Sequence, residues 1–517
     1  MSATSYDVVA YPSHPLPQTH PDRLAAIGIL LGLSPAPVER CRVLELGCGE
    51  GGNIIPMGLS YPQSSFTGLD LAETAIDVGM KFARELEIVN VELQTADLLE
   101  FPTDAGQFDY IIAHGLYSWV PAIVRDKIMA VCRDHLAPQG IAYISYNTLP
   151  GCHVRRMLRD MMRFHVRDIA DPRQKIEQAR SFLNFLTAGK AKENDPYAQL
   201  LKAEQKWSGL DKAPEVLFHD DLAEINDPCY FHEFATHAAA HELQFLAEAD
   251  YYEMSDVMGS PEVTAVLRDL GEKDAILREQ YLDYIKCRRF RQSLLVRKEV
   301  AIQRKPSAER IRGLSISSRA KAVTSRPNLA KGVKESFREQ SGGAITIDLP
   351  LAKAALLHLG EVYPLPVRFD ELMAAARSRP GMPADAGDDA AVGEILLACF
   401  TIGLVELHAG PATFVRHAGP KPLASPLVRQ QLRHGIDLVT TLRHTPVRID
   451  NPLSCALISM LDGSRDRATL LTDLVKWARA NPAPGLSPPP EGELRERLGG
   501  QIDTGLESAA AMALLLS

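Results

Sequence analysis

The sequence lacks the features that would place it among membrane-spanning, secreted or disulfide-rich proteins. No uninterrupted apolar run reaches the ~18–20 residues that a membrane-spanning helix needs. Residues 1–7 contain neither the basic nor the apolar segment that begins a secretory signal. The eight cysteines form no CxxC pair, which indicates reduced thiols rather than a disulfide framework or a zinc site. We therefore expect a cytoplasmic protein without stable membrane insertion.

An excess of positive charge is also missing. The 56 Lys and Arg residues against 65 Asp and Glu residues give a formal net charge of -9. Nucleic-acid binding needs a positive surface, so we expect no nucleic-acid partner. The segment 286–338 is an exception, with 16 Lys or Arg against three Glu. A nucleic-acid patch is one interpretation, but solvated edge strands and a linker explain these charges better.

The chain of 517 residues is too long for one hydrophobic core, so several domains are expected. Between Cys41 and Tyr146, short apolar segments alternate with helical patterns, which is typical of parallel βαβ units. We therefore predict a doubly wound α/β sheet in this part of the chain. Its first five strands are predicted at 42–46, 65–70, 91–95, 108–113 and 141–145.

A glycine-rich segment follows the first predicted strand. Gly47, Gly49 and Gly51 allow a sharp turn and leave the backbone open to a ligand. Asp70, which ends the second strand, is placed to accept hydrogen bonds from a ribose diol. A dinucleotide-binding dehydrogenase or a simple tight turn would show similar glycines. The GxGxG spacing differs, however, from the GxGxxG that binds a pyrophosphate, and Asp97 offers a carboxylate for an adenine amino group.

These residues carry a resemblance to a known superfamily. Glu45, Gly47, Gly49, Asp70 and Asp97 at these spacings resemble the motifs of class I S-adenosylmethionine-dependent methyltransferases. The resemblance implies an enzyme with a seven-stranded Rossmann-like sheet and with S-adenosyl-L-methionine as its cofactor. The residues that we expect to contact this cofactor are Glu45, Gly47, Cys48, Gly49, Gly51, Asp70, Leu71, Asp97, Leu98, His114, Thr19 and His20.

Longer segments are similar to bacterial methyltransferases that carry a methyltransferase regulatory domain. They are Tyr11–Leu24, Phe108–Pro121, Ser145–Gly151, Asp227–Phe234 and Gln244–Ala249, of which the last two resemble the regulatory domain itself. The best-known members of this family are the rickettsial-type protein lysine methyltransferases, which modify outer-membrane proteins. The resemblance covers about residues 5–320. It implies methyl transfer to lysine ε-amines of a polypeptide substrate.

Two other function classes stay open beside protein-lysine methylation. The methyl acceptor could be a small molecule or a modified peptide of a biosynthetic pathway. The chain could also be a non-catalytic binding module, although the intact glycines and Asp70 argue against that, because a degenerate site would lose them freely. The sequence is compatible with a homodimer.

The residues predicted to act on the substrate are Tyr117, Trp119, Tyr146 and His114. They follow the fourth and fifth strands, at the edge where such sheets bind ligands. Their rings could enclose a lysine stem, and cation–π contact would hold a methylated ammonium. The alternative is that Trp119 packs under its loop. His114 and His20 could receive a proton or bind the cofactor carboxylate, although a lone histidine is more often structural.

Three histidines invite a metal interpretation. His232, His237 and His241 lie at helical spacing, so that residues four apart share a face. The segment lacks the HExxH pattern, however, and no clear carboxylate ligand accompanies it. We therefore predict no metal site and expect these histidines to form hydrogen bonds.

The chain is predicted to divide into five regions. Residues 1–151 form the catalytic domain, 152–285 a helical domain that includes a helix over 231–249, and 286–328 two strands that return to the catalytic sheet. Leu294 and Ile316 are expected in those two strands, so that the helical domain is an insertion between strands five and six. The alternative is that 286–330 is a linker outside the sheet.

The remaining regions are predicted at 345–417 and 418–517. Helices over 351–359, 369–377 and 391–402, followed by strands at 404–408 and 413–417, give a winged-helix-like α+β pattern. Winged helices usually read DNA, but the third helix contains no Lys or Arg for phosphate contacts, which favours protein binding or packing. A second helical or winged-helix-like module is expected after residue 418.

Overall fold

The computed structural model describes residues 9, 11–188, 195–208, 214–256, 259–339, 343–383, 386–482 and 490–517. Its first sheet contains β1 (Arg42–Leu46), β2 (Ser65–Asp70), β3 (Val91–Thr95), β4 (Phe108–Ala113), β5 (Leu136–Asn147), β6 (Leu243–Glu248) and β7 (Phe290–Arg297). The strand order is β3-β2-β1-β4-β5-β7-β6. The strand β7 is antiparallel to both of its neighbours, β5 and β6, and the other six strands share one direction. The doubly wound, seven-stranded α/β fold is therefore confirmed.

Helices cover both faces of this sheet. Successive side chains of a strand point to opposite faces. Val43 and Tyr110 accordingly pack into the core on one face, and Leu44 and Ile111 pack into the core on the other. The first face carries the helices Pro21–Leu30, Ile54–Ser60 and Glu73–Glu85, and the second carries Ala122–His135 and Phe231–Ala240. Burial on both faces explains why apolar residues stand next to each other in β1, at Val43 and Leu44, and in β4, at Tyr110 to Ala113.

The sixth strand corrects a sequence prediction. The predicted helix over 231–249 ends at Ala240, and the chain turns at Glu242, whose φ angle is 56°. The next six residues form β6, which pairs antiparallel with β7 at the sheet edge. A short buried apolar segment fits helix and strand patterns equally well, which is why the prediction failed. The predicted helical domain over 152–285 therefore contains one strand of the catalytic sheet.

The second correction concerns the return of the chain to this sheet. Leu294 lies in β7 and pairs with Tyr143 of β5, as predicted. Ile316 lies outside that sheet, so only one of the two strands expected in 286–328 completes it. The later strands are β8 (Ser315–Ser317), β9 (Lys321–Ala322), β10 (Glu335–Arg338), β11 (Ala344–Ile347), β12 (Val367–Arg368) and β13 (Glu406–His408). They form two small sheets, ordered β12-β8-β13 and β11-β10-β9.

The insertions into the catalytic sheet are helical. Between β5 and β6 lie Cys152–His165, Pro172–Ala188, Pro196–Ser208, Pro214–Val216 with the π-helical turn Leu217–Asp221, and Phe231–Ala240. Between β6 and β7 lie Pro261–Lys273 and Ala275–Lys286. Both insertions therefore begin beside the carboxyl-terminal edge of the parallel strands or return to it.

A buried arginine connects the second insertion to the sheet. Arg291 of β7 is 1% exposed. Its Nη1 lies 2.7 Å from Glu248 of β6, and its Nε and Nη2 lie 2.9 and 2.8 Å from Asp283 of the helix Ala275–Lys286. A third carboxylate, Glu279, lies 3.2 Å away. A buried cation needs such partners, so this cluster fixes the insertion against β6 and β7.

Two helical regions follow. The helices Pro350–Val362, Phe369–Arg377 and Asp389–Thr401 share one hydrophobic core with β8 and β13. The strand predicted at 413–417 does not form, because Val415 donates its N–H to Leu515 instead of joining β13. The last region has its own core and contains Pro426–Arg433, β14 (Leu438–Thr440), β15 (Pro446–Arg448), Pro452–Met460, Arg467–Ala480 and Glu491–Ala511.

Membrane-spanning helices and disulfides are both missing from the described residues. No described helix combines the length and the apolarity needed to cross a membrane. All eight cysteines are described and are free thiols, and five of them are buried. Burial raises the pKa of the Cys41 and Cys132 thiols to about 12, so these two stay protonated and unreactive.

Candidate active site

The glycine-rich turn after β1 forms one wall of the site. Gly47, Gly49 and Gly51 have φ angles of 74°, 53° and 71°, which side chains disfavour. At Gly49, a Cβ would meet no atom within 4 Å, so the backbone there borders open space. Asp70 accepts hydrogen bonds from the N–H of Gly49 at 2.8 Å and of Ala72 at 2.9 Å. Asp70 therefore also fixes the turn.

A cavity of about 1040 Å³ opens at the carboxyl ends of the parallel strands. Open α/β sheets bind ligands at this edge, and the volume lies at the upper end of the ~300–1,000 Å³ of small-molecule sites. The predicted site residues that line it are Glu45, Gly47, Cys48, Gly49, Asp70, Leu71, Asp97, Leu98, His114 and Trp119. The predicted residues that do not line it are Gly51, Thr19, His20, Tyr117 and Tyr146.

Glu45 lies at the back of the cavity with an incompletely bonded carboxyl group. Its Oε1 accepts a hydrogen bond from Nδ2 of Asn53 at 2.8 Å. Its Oε2 is buried and has no hydrogen-bond partner among the described residues. Burial, together with the nearby charge of Asp70, raises the pKa of Glu45 to about 8. A ligand with a positive charge would supply the missing partner and favour the ionised carboxylate.

Asp97, Leu71 and Leu98 form another part of the cavity wall. Asp97 Oδ1 accepts the N–H of Leu99 at 2.9 Å and so caps the short helical turn that follows β3. The two leucines are partly exposed to the cavity or to solvent. An apolar surface beside a carboxylate suits a flat heterocycle that carries an amino group.

His114 follows β4 and faces the cavity as a neutral imidazole. Burial lowers its pKa to about 4. Its Nδ1 lies 2.9 Å from the hydroxyl of Tyr143, and that hydroxyl donates to Gln292 at 2.7 Å. The Tyr143 oxygen therefore accepts from Nδ1–H, which leaves Nε2 as an acceptor. A neutral ring does not repel a cationic ligand.

The aromatic slot is only partly formed by the predicted residues. Trp119 lines the cavity, but the rings of Tyr117 and Tyr146 are buried below it. Tyr146 stacks on Phe234 with 4.0 Å between ring centroids, and the hydroxyl of Tyr117 lies 2.8 Å from Nδ1 of His237. Tyr117 and Trp119 occupy one 3₁₀ turn, in which successive side chains diverge by a third of a turn. The two residues therefore face different sides, although their sequence positions suggested a common one.

Phe290, the first residue of β7, was not predicted and completes the aromatic wall. It lines the cavity with 37% of its surface exposed, and its ring centroid lies 6.0 Å from that of His114. The strand pattern of β7 was visible in the sequence. Nothing in the sequence showed that the strand begins at this cavity, because that depends on the antiparallel register with β5.

Thr19, His20 and Gly51 lie behind the cavity wall. Thr19 Oγ1 accepts from Nδ2 of Asn53 at 2.9 Å. His20 caps the helix Pro21–Leu30, and burial lowers its pKa to about 4. At Gly51, a Cβ would lie 3.1 Å from the side chain of Leu93, which is a core contact. These three residues support the site without bordering the ligand space.

Two arginines at the border of the insertions also line the cavity and were not predicted. Arg155, in the helix Cys152–His165, lies 2.8 Å from Oδ1 of Asp221. Arg289 donates to Glu204 at 2.8 Å. Each arginine is thus held by a buried carboxylate. The insertion between β5 and β6 therefore forms part of the cavity wall.

The histidines considered as metal ligands only partly converge. His232 bonds to Gln280 at 2.9 Å and lies apart from the others. His237 and His241 direct Nε2 at Oδ1 of Asp126, at 3.4 and 2.8 Å. These three groups are close enough to share an ion, but hydrogen bonds to the carboxylate account for the arrangement. We assign no metal to it.

Three family models match separate parts of the chain. The model described as "Methyltransferase domain" matches residues 43–140, which contain β1 except its first residue, the glycine-rich turn and β2 to β4. The model described as "Predicted methyltransferase regulatory domain" matches residues 213–297 and so includes β6 and β7. The model described as "PKMT, C-terminal winged helix domain" matches residues 420–514.

Similar proteins and structures come from Rickettsia. Uncharacterized protein RP789 of Rickettsia prowazekii is 36% identical over 383 residues, which are 72% of this chain and 68% of that protein. Uncharacterized protein RP028 of the same organism is 39% identical over 242 residues, 47% of this chain and 96% of that protein. The structure of PKMT2 from Rickettsia typhi in complex with AdoHcy is 28% identical, with a TM-score of 0.87 over 98% of this chain and 100% of that one.

Proposed function

Because this chain belongs to the class I methyltransferases with a regulatory domain that include the rickettsial PKMT proteins, we propose that it is a protein-lysine N-methyltransferase. It is an enzyme, and its cofactor is S-adenosyl-L-methionine. The proposed substrate is a lysine ε-amine of a bacterial polypeptide. The observation that carries this proposal is the likeness to PKMT2 over 98% of the chain, including the insertions and both C-terminal regions.

The residues around the cavity fit the chemistry of this cofactor. We propose that Gly47 and Gly49 leave room for it and that Asp70 binds its ribose hydroxyls, while still holding the turn. Asp97 is proposed to accept from the adenine amino group. The unpartnered Oε2 of Glu45 suits the α-ammonium of the methionine part. When bound, the cofactor supplies an electrophilic methyl group on a sulfonium.

The chain's own contribution is to orient and desolvate the amine. Methyl transfer to an amine is an in-line displacement, for which alignment alone can supply several kcal/mol. Trp119 and Phe290 are proposed to enclose the lysine stem at the cavity mouth. Their apolar surfaces disfavour an ammonium and so lower the pKa of the lysine, and the neutral His114 adds no repelling charge. No strong base is required at this site.

The experiment that tests the proposal identifies the labelled acceptor. Purified enzyme and cofactor with a tritiated methyl group are incubated with extract of a strain that lacks this protein, and macromolecules are separated from small molecules. We expect label in protein, recovered as methyl-lysine after acid hydrolysis. The matched control is Gly49→Arg, which should incorporate no label. Label confined to the small-molecule fraction would overturn the lysine assignment and favour a biosynthetic methyltransferase.

A further inference from the structure

The C-terminal region reaches the back of the cofactor cavity through one hairpin. Its turn, residues 441–445, joins β14 to β15 and carries His444 at its tip with a φ angle of 58°. The His444 side chain is 5% exposed. Its Nε2 lies 2.7 Å from Oδ1 of Asn53, a residue 391 positions earlier in the chain. This contact links the last region of the chain to the residue that follows the glycine-rich turn.

Asn53 joins several parts of the cavity wall, and it lines the cavity itself. Its Nδ2 donates to Oε1 of Glu45 at 2.8 Å and to Oγ1 of Thr19 at 2.9 Å. Its Oδ1 accepts the N–H of Leu16, another lining residue, at 3.0 Å. Both amide hydrogens are therefore used, so Oδ1 faces His444 and the imidazole must donate from Nε2. His444, together with Leu16 and Thr19, thus fixes the orientation of the amide that holds Glu45.

The donor is held rigidly and stays neutral. The backbone N–H of His444 donates to the carbonyl of Thr441 at 2.9 Å, and the backbone N–H of Thr441 donates to the carbonyl of Thr445 at 2.9 Å. Leu442 donates to the carbonyl of Ala513 at 2.9 Å, which ties the turn to the end of the last helix. Burial lowers the pKa of His444 well below its ordinary value, so the ring is uncharged near neutral pH.

We propose that His444 is a positioning residue of the cofactor site, and that the C-terminal region completes this site by docking the histidine on Asn53. The proposal rests on the assignment of the cavity to S-adenosyl-L-methionine. Without the His444 donor, Oδ1 of Asn53 keeps the Leu16 N–H but loses its shortest contact, so the amide that donates to Oε1 of Glu45 is held less firmly. Because coupling between two binding events is reciprocal, the bound cofactor must in turn stabilise the docked hairpin.

The test compares two substitutions of similar length that differ in the donor. His444→Gln keeps an N–H donor, whereas His444→Met removes it. Calorimetry on the full chain should show cofactor affinity within about threefold of wild type for the glutamine variant and about tenfold weaker for the methionine variant. At saturating cofactor, kcat and the KM for the polypeptide should be unchanged. The substitution should therefore raise the KM for the cofactor without changing kcat. A residue with a purely structural role would not affect these two constants differently.

A second histidine of the same region provides the control. His434 also contacts the catalytic domain, 2.9 Å from Glu85, but it is 44% exposed and does not line the cavity. His434→Ala should leave cofactor affinity unchanged. Hydrogen exchange at residues 441–445 should slow when the cofactor is added to wild type and respond less in His444→Met. Equal affinities in His444→Met and His444→Gln, or an equal loss in His434→Ala, would overturn the proposal. A wild-type chain that does not bind the cofactor would instead overturn the cavity assignment.

Discussion

Protonation of Glu45 should make cofactor affinity depend on pH. Burial raises the pKa of this carboxyl from 4.5 to about 8, so the free protein holds it mostly neutral at pH 7. The difference of about 3.5 pKa units corresponds to about 5 kcal/mol in favour of the neutral form. A cofactor ammonium beside the unpartnered Oε2 favours the ionised form and lowers this pKa. Binding should therefore release a proton.

The direction in which cofactor affinity changes with pH follows from this release of a proton. A proton is lost on binding, so affinity should rise with pH, by up to about tenfold per unit while the free carboxyl is protonated. Between pH 6.0 and 7.5 the expected gain is about 25-fold, and an α-ammonium keeps most of its charge in that window. His114, His20 and His444 have pKa values lowered to about 4 or further, so they do not titrate there.

Isothermal titration calorimetry in buffers of different ionisation enthalpy measures both the affinity and the number of protons released. Glu45→Gln has no titrating carboxyl, so its cofactor affinity should be lower than that of wild type at pH 7.5 and almost independent of pH across the window.

The raised pKa of Glu45 also lowers the stability of the free protein. The unfolded chain ionises this carboxyl above pH 4.5, whereas the folded protein keeps it neutral up to about pH 8, so the free energy of unfolding falls as the pH rises between these values. The free Glu45→Gln variant should therefore be more stable than wild type at pH 7.5, by up to about 4 kcal/mol. A flat wild-type profile, or the same slope in both proteins, would refute the reasoning.

Four other substitutions test other parts of the structure. Gly49→Arg should abolish measurable cofactor binding, because the arginine side chain would enter the cavity. The fold should survive, although the φ angle of 53° at this position favours glycine. Calorimetry measures the binding, and circular dichroism checks the fold. Trp119→Ala should lower turnover at least about tenfold with little change in cofactor affinity, whereas Tyr117→Phe should cost about 1 kcal/mol of stability and leave turnover within about threefold. Arg291→Met should lower the free energy of unfolding by about 3–5 kcal/mol in chemical denaturation, because the buried carboxylates around Arg291 lose the buried cation that they share.

Each of these expectations has an outcome that contradicts it. Unchanged cofactor affinity in Gly49→Arg would remove the cavity as the cofactor site. If Trp119→Ala lost cofactor affinity but kept turnover at saturation, the ring would be a wall for the cofactor. If Tyr117→Phe lost turnover while Trp119→Ala kept it, the substrate slot would lie on the buried side. An Arg291→Met variant as stable as wild type would show that the carboxylate cluster does not hold the insertion.

Local features of the sequence determined the part of the site that lies on consecutive βα units. The turn at Gly47 and Gly49 and the carboxylate of Asp70 follow strands whose order in a parallel sheet is set by short, right-handed crossovers. Their side chains therefore meet at one edge without any long-range information. The same holds for Asp97, which ends the third strand, and all four residues line one cavity.

The direction of side chains and the strands far along the chain could not be obtained in this way. Tyr117 and Trp119 were predicted to share a side, but the 3₁₀ turn separates them. The edge strand β6 was predicted as helix. Its partner β7 begins 42 residues after β6 ends, so no local pattern showed that the two segments pair. A short apolar segment becomes a strand when a sheet edge is available to pair with it, and that condition is tertiary.

The sequence by itself determined the fold class, the cofactor chemistry and the residues of the glycine-rich turn, because short-range spacing and strand order suffice for these. Only the tertiary structure decided that Phe290 completes the aromatic wall, that Ile316 belongs to another sheet, and that His444 contacts Asn53. The last contact joins residues 391 positions apart. It forms only because separate hydrophobic cores dock against one another, and no local pattern in the chain specifies how packed regions meet.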